Sequence, residues 1–148
     1  MKSNLYWYIT YSSKDEIYHF KTLKQYKEMH TDKTSYLSQA VAWAEKKSTV
    51  SLRAITENYE DPKSFTNTDT QEKIQPDLSF TTHGGAKHYT DVALKDENPQ
   101  RLVTRWKLLS LMASLKRGKL HLLAPKGHKR FTERLVNRYN INANIYSL

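Results

Sequence analysis

Two carboxylates and a lysine, set in stretches that alternate polar and apolar residues, are the clearest chemical pattern in this sequence. Asp77 opens the run 77–80, and Asp91 and Lys95 lie in the run 89–95. Such alternation is typical of β-strands, in which side chains two residues apart share a face. Paired as a hairpin with aligned apolar faces, the two strands would bring these three polar side chains together. Two carboxylates and an ammonium group can bind a hard cation and a phosphate.

The elements around these residues support a hairpin. Gly84-Gly85 lies between the two runs and supplies the turn. Leu78 and Phe80 fall on one face of the first strand, and Val92 and Leu94 fall on one face of the second. We expect these four apolar side chains to face a core, which leaves the face of Asp77, Asp91 and Lys95 for function.

The pattern after the hairpin predicts helix, strand, helix and strand. Asn98-Pro99 is a strong helix start, and Gly118 is the expected end of that helix. Residues 119–124 form an apolar strand, a basic helix follows Pro125-Lys126-Gly127, and 141–146 alternates again. Because helical crossovers favour parallel pairing, this order predicts an α/β fold with a central mixed β-sheet flanked by helices.

The first half of the chain is less regular. We predict a single domain over residues 1–148, with an N-terminal hairpin and helices in 1–57 and a polar loop in 58–75. Within 1–57, the stretch 35–47 has a helical apolar stripe. Residues 50–55 fit either a strand or the start of another helix.

The positive charge is concentrated in the last third of the chain. Residues 98–148 contain eleven Lys and Arg and one acid, Glu133, a balance of +10; because the whole chain carries +9, residues 1–97 sum to −1. A basic lobe beside a near-neutral one is a common feature of nucleic-acid-binding proteins. The alternative is a solvated face that only keeps the protein soluble.

Composition excludes several classes of protein. There is no cysteine, so disulfides and thiolate metal sites are excluded. No run of about 18 apolar residues is present, which argues against a membrane span. The first residues lack the apolar segment and cleavage site of a signal peptide, so we expect a cytoplasmic protein.

The residues from Pro76 to Leu148 resemble the PD-(D/E)xK, or restriction-endonuclease-like, nuclease superfamily. The resemblance rests on Pro76-Asp77 opening a strand, on Lys95 closing the next strand, and on the helix and strand that follow. It implies that Asp77 binds Mg²⁺ or Mn²⁺ and that Lys95 orients or activates the attacking water. The activity implied is metal-dependent endonucleolytic cleavage of DNA phosphodiesters. The resemblance also allows a homodimer, since many relatives dimerise to cut both strands.

One position departs from the family pattern. The residue two before the lysine should be acidic, and here it is Ala93. The displaced second carboxylate is then Asp91, on the same face, or Glu97, on the Lys95 face if the strand continues. Glu57, or with less support Glu45, is the acid that the family sometimes contributes from its first helix; for either, a surface salt bridge is the competing interpretation.

Further residues are candidates for contact with nucleic acid or metal. The cations that could meet phosphates lie on the two predicted helices and the turn between them: Arg101, Arg105, Lys126, Lys129, Arg130 and Arg134. His83 and His88 flank the Gly-Gly turn, but no third ligand accompanies them. Trp106 lies in the apolar stripe of its helix and is expected in the core.

Three functions therefore remain open. The first is the metal-dependent nuclease. The second is a nuclease-like fold that has lost catalysis and acts as a nucleic-acid-binding or accessory subunit, which Ala93 favours. The third is a protein-interaction module whose basic face meets an acidic partner.

Overall fold

The computed structural model of the chain describes residues 33–148, and the compact unit that carries the sheet spans Tyr36–Leu148. The N-terminal hairpin predicted within 1–57, and a further short helix expected at 22–30, lie outside the described residues. Within 33–148 the fold is α/β, with a five-stranded mixed sheet and three helices. The predicted fold class is confirmed at this level.

Helix α1 and strand β1 lead into the sheet. Residues 33–47 form α1, and of its predicted stripe Leu37, Ala40 and Ala44 are buried and Val41 is half-buried. Strand β1 is Ser51–Ala54, which settles the ambiguous stretch in favour of a strand. The connection is tight, because the Ser48 hydroxyl donates to the Ser51 carbonyl at 2.8 Å.

The segment predicted as a loop contains a short two-stranded ladder of its own. Strands β2, Phe65–Thr66, and β3, Lys73–Ile74, pair antiparallel. An Asx turn starts the reversal, since the Asn67 side chain accepts from the Asp69 N–H at 3.0 Å. The ladder also has an apolar anchor, because Phe65 packs edge-on against the Tyr89 ring at 5.5 Å between centroids.

The central hairpin forms as predicted. Strands β4, Leu78–Thr81, and β5, Lys87–Val92, pair antiparallel with Leu78 opposite Thr90. The expected faces are also found. Leu78, Phe80 and Val92 pack in one buried cluster with the α1 stripe, whereas Tyr89 and Ala93 belong to a second cluster. Both faces of the hairpin are therefore covered, not the apolar face alone.

The second half of the chain adds the parallel strands. Helix α2 is Pro99–Leu115, strand β6 is Leu120–Ala124, helix α3 is Lys129–Arg138 and strand β7 is Ala143–Ser147. Strand β6 pairs parallel with β5, and β7 pairs parallel with β6, as the helical crossovers predicted.

The sheet order is β1-β4-β5-β6-β7, with an apolar cluster on each face. One cluster joins the sheet to α1. The other joins it to α2 and α3 and is centred on Trp106, which is fully buried as expected. The carboxyl ends of β5, β6 and β7 meet at one edge, because these three strands are parallel. Among residues 33–148, no helix has both the length and the apolar character needed to cross a bilayer.

Candidate functional site

Asp77 and Asp91 meet on the sheet face that carries α2. Both are buried, and the pairing of Leu78 with Thr90 makes them the next opposed positions on β4 and β5. The Asp77 backbone N–H donates to Asp91 Oδ1 at 3.2 Å, and Asp77 Oδ2 accepts from the Val92 N–H at 2.8 Å. The structure therefore brings together the two carboxylates that the alternation of the sequence placed on one face.

A guanidinium from α2 binds this carboxylate pair. Arg105 Nε donates to Asp91 Oδ2 at 2.6 Å and Nη2 donates to Asp91 Oδ1 at 2.8 Å, which is the bidentate geometry of a strong Arg–carboxylate pair. Nη2 also donates to the Gln75 carbonyl and lies 3.9 Å from Asp77 Oδ1. The neighbouring Trp106 indole N–H donates to Asp91 Oδ2 at 3.2 Å.

The electrostatics of the site fix Arg105 as a cation. Burial alone lowers the pKa of its guanidinium, but the charge of Asp91, its hydrogen bonds and the charge of Asp77 outweigh burial, so the net pKa lies above the ordinary value. Only 22% of the Arg105 side chain is exposed. It is therefore an internal partner of the carboxylates, whereas the sequence had suggested a surface contact with nucleic acid.

The donor set at Asp77 and Asp91 fits a guanidinium better than a hydrated metal ion. Both oxygens of Asp91 accept from Arg105, whereas Mg²⁺ needs about six oxygen ligands at about 2.1 Å. Among residues 33–148, no group of three or more His, Asp or Glu side chains is arranged to hold a metal. Glu57 lies exposed in the turn after β1, and Glu97 is exposed before α2. Glu45 is on α1 and accepts from the Tyr59 hydroxyl.

Lys95 lies outside the strand that carries Asp91. Strand β5 ends at Val92, so Lys95 is three residues beyond the strand that it was expected to close, and its side chain is exposed. Beyond it, the Asp96 side chain accepts from the Asn98 N–H at 2.9 Å, just before α2. Within the described part of the chain, no ion pair joins Lys95 to Asp77 or Asp91.

Lys95 is instead joined to the basic turn that follows β6. Its backbone N–H donates to His128 Nδ1 at 2.9 Å. The turn carries Lys126, Lys129 and Arg130, all exposed, and Arg134 is exposed one turn further along α3. Since β5 and β6 are parallel, this hydrogen bond places the segment after β5 beside the basic turn at the carboxyl edge of the sheet, the usual ligand-binding edge of α/β folds.

Two of the cations predicted to contact phosphate, Arg101 and Lys129, make surface contacts with other side chains. Arg101 is exposed on α2 and lies 3.9 Å from Glu72, a weak surface ion pair. Lys129 Nζ donates to the Ser147 hydroxyl at 3.0 Å, an exposed contact that a phosphate could replace. Arg101 and Lys129 thus remain accessible to solvent, in contrast to Arg105.

His83 and His88 are not brought together. His83 is exposed in the turn, whereas His88 lies on β5 with its Nδ1 3.1 Å from Nε2 of His121 on β6. The Lys119 N–H also donates to His88 Nδ1 at 3.1 Å, so this nitrogen accepts and His121 Nε2 carries the shared proton. His121 was not singled out in the sequence, because a histidine inside an apolar strand gives no sign of its partner.

Burial disfavours the protonated form of both histidines. Desolvation, with help from the charge of Lys119, lowers the pKa of His88. Desolvation, the neighbouring His88, and the cations Lys119 and Lys47 lower the pKa of His121 to about 4. Trp43, Phe80 and Tyr146 pack around the His121 ring. The pair is therefore part of the packing between α1 and the sheet.

Comparison with protein-family models, with curated proteins and with solved structures finds no match to this chain.

Proposed function

We propose that this protein binds nucleic acid through the carboxyl edge of its parallel strands, on a nuclease-like fold whose carboxylate pair is held by Arg105. This is the second of the three functions considered for the sequence, and DNA is the expected ligand. The observation that carries it is the hydrogen bond from the Lys95 N–H to His128, which brings Lys95 beside Lys126, Lys129 and Arg130.

The cations at this edge suit a phosphate backbone. The side chains of Lys95, Lys126, Lys129 and Arg130 are exposed, so they are free to meet phosphate oxygens in water. Phosphate contacts of this kind position a protein on nucleic acid without reading its sequence. Each contact releases counterions, which makes affinity fall with salt. We infer binding with little sequence preference and a steep salt dependence.

The pairing register supports a nuclease-like ancestry with altered chemistry. Asp91 is opposed to Asp77, which favours Asp91 as the second carboxylate of the PD-(D/E)xK pattern. Because that pattern has its lysine two residues after the acid, Ala93 then stands in the lysine position. The positive charge at the carboxylates comes from Arg105 of α2 instead. A guanidinium that stays protonated cannot take a proton from water, which favours a binding role.

The first experiment measures binding. Fluorescence anisotropy with a labelled DNA duplex and a labelled single strand, over a salt series, should give an affinity that falls linearly on a log–log plot. The double variant Lys126→Gln/Arg130→Gln should weaken binding by about tenfold or more and reduce the salt slope by about one for each lost contact.

The matched control removes the same charge elsewhere. Lys46 and Lys63 are also exposed. Lys46 lies on α1 and Lys63 lies in the segment between β1 and β2, so both are distant in the sequence from the basic turn. Lys46→Gln/Lys63→Gln should therefore change affinity by less than about threefold. Equal loss in both double variants, or no binding by the wild type at low salt, would remove the proposal.

The alternative function is metal-dependent cleavage of DNA, which is favoured by the meeting of Asp77 and Asp91 in a buried site. Incubation of plasmid and linear DNA with the protein in Mg²⁺ or Mn²⁺ tests it, beside Asp77→Ala and Lys95→Ala. We expect no cleavage. Cleavage by the wild type that Asp77→Ala abolishes would establish the nuclease instead, whereas cleavage unchanged in both variants would exclude this site as its source.

A further inference from the structure

The C-terminal half of α2 is apolar on the side that faces away from the core. Its inner side packs Trp106, Leu109 and Ala113 against the sheet. On the outer side, Leu111 and Leu115 are 56% and 66% exposed. A surface helix ordinarily carries polar residues on its outer side, and a helix that is apolar all round is ordinarily covered all round.

The exposed leucines belong to a continuous stripe. Leu108 is three residues from Leu111 and four from Met112, and Leu115 is four residues from Leu111 and three from Met112, so the four side chains share one face of the helix. Leu108 and Met112 are half-buried against the core cluster, and they form the inner margin of the stripe. We call these four residues the outer stripe of α2. An apolar stripe with this spacing is the surface through which one amphipathic helix packs against another.

The charges on the C-terminal half of α2 and on the residues that follow it are all positive. Lys107 lies beside the outer stripe, and Lys116, Arg117 and Lys119 follow its C-terminal end, all of them exposed. No acidic residue occurs between Pro99 and Gly118. A second copy of this chain would bring the same cations against each other, and like charges directly opposed are unfavourable. An acidic partner would bring complementary charge to the same place.

We propose that the outer stripe of α2 is a docking surface for an acidic amphipathic helix of another protein. The partner's apolar side chains pack on Leu111 and Leu115, and its Asp and Glu side chains meet Lys107 and Lys116. This surface lies on α2 and is independent of the proposed nucleic-acid contact of the basic turn and α3, so either can fail without the other.

A synthetic peptide tests the chemistry of the partner directly. The probe is a fluorescein-labelled helix of about 18 residues, long enough to fold on a surface, with leucines at heptad a and d positions and glutamates beside them. Two control peptides have the same composition in scrambled order, or lysine in place of every glutamate. Anisotropy should show micromolar binding of the acidic helix and binding at least about tenfold weaker for both controls.

Variants of the protein locate the contact. Leu111→Gln and Leu115→Gln should each weaken binding by about fivefold to tenfold, since each removes a leucine from the centre of the interface. Val50→Gln is the matched control, because Val50 is 63% exposed and lies outside α2. All three substitutions are at exposed positions and should leave the circular-dichroism melting temperature nearly unchanged.

Four results would overturn the proposal. Equal binding of the scrambled peptide, or unchanged affinity in Leu111→Gln and Leu115→Gln, would show that the stripe is not the contact. A wild-type dimer in sedimentation that Leu111→Gln dissolves would assign the stripe to a second copy. Binding to anionic phosphatidylserine vesicles that Leu111→Gln abolishes, without binding to the acidic peptide, would assign it to a lipid surface.

Discussion

Arg105 decides the character of the carboxylate site at the scale of single residues. It contacts both oxygens of Asp91 and the Gln75 carbonyl, and its charge lies 3.9 Å from Asp77. A half-buried guanidinium between carboxylates is stable only while both charges remain, because an unpaired buried charge is costly. The same contacts that organise the site therefore also hold α2 on the sheet.

Removal of the Asp91 charge should accordingly destabilise the protein. Asp91→Asn keeps the shape of the side chain but leaves Arg105 without its bidentate partner, and we expect a loss of about 2–4 kcal/mol in the free energy of unfolding by urea. The control Glu60→Gln breaks the exposed pair with Arg53, 3.4 Å long, and should cost less than about 1 kcal/mol. Equal costs would contradict this account of the site.

The pair of His88 and His121 should make stability depend on pH. The ordinary pKa of histidine is 6.5 and that of folded His121 is about 4, so the unfolded chain binds more protons between these values. Stability is then full above pH 6.5 and falls as the pH drops toward 4, by about 1–3 kcal/mol. Lys119 and Lys47 act in the same direction, since they also oppose protonation.

Urea unfolding at several pH values tests this expectation. His121→Gln should flatten the decline of stability between pH 6.5 and 4, even if it lowers stability at neutral pH. His83→Gln is the control, because His83 is exposed in the hairpin turn and should leave the decline unchanged. A decline that persists in His121→Gln would assign the effect to other groups.

At the scale of elements, the junction between α2 and β6 passes close to the start of β5. The helix ends at Leu115, and Arg117, with a φ of 62°, takes the left-handed position that the sequence suggested for glycine. Gly118 is needed for a different reason. A Cβ at this position would lie 1.8 Å from the Lys87 carbonyl oxygen, so the chain passes directly against the start of β5.

Gly118→Ala should therefore disturb the junction strongly. The contact is with backbone, which cannot rotate away, and we expect a loss of about 3 kcal/mol or more in the free energy of unfolding. Gly84→Ala is the control. Its added Cβ meets nothing within 4 Å and carries only the strain of a φ of 89°, a cost of about 1 kcal/mol. Calorimetry showing the same melting temperature for both variants would contradict the close approach.

At the scale of the whole molecule, the fold turns one cation of the basic third of the chain inward and leaves the others exposed to solvent. The last third of the chain carries a balance of +10, yet Arg105 is turned inward to the carboxylates while the cations of the basic turn and α3 face solvent. Lys95 and the basic turn lie together at the carboxyl edge of β5 and β6. The positive charge of the last third of the chain, counted along the sequence, is therefore larger by one than the charge available to a polyanion, because Arg105 is turned inward.

The sequence by itself determined the elements from β4 onward, and the tertiary structure decided the site and the short strands before β4. Alternation and capping residues predicted the hairpin, α2, α3 and the parallel strands, because backbone sterics and apolar periodicity are local properties. The sequence also placed Asp77 and Asp91 on one face, since register in a hairpin follows from its apolar pattern. Three features could not be predicted in this way. Arg105 binds the carboxylates, and His88 meets His121, through contacts between residues 14 to 33 positions apart. Lys95 lies outside the strand because β5 ends at Val92. Such contacts arise from three-dimensional packing, which no local pattern encodes.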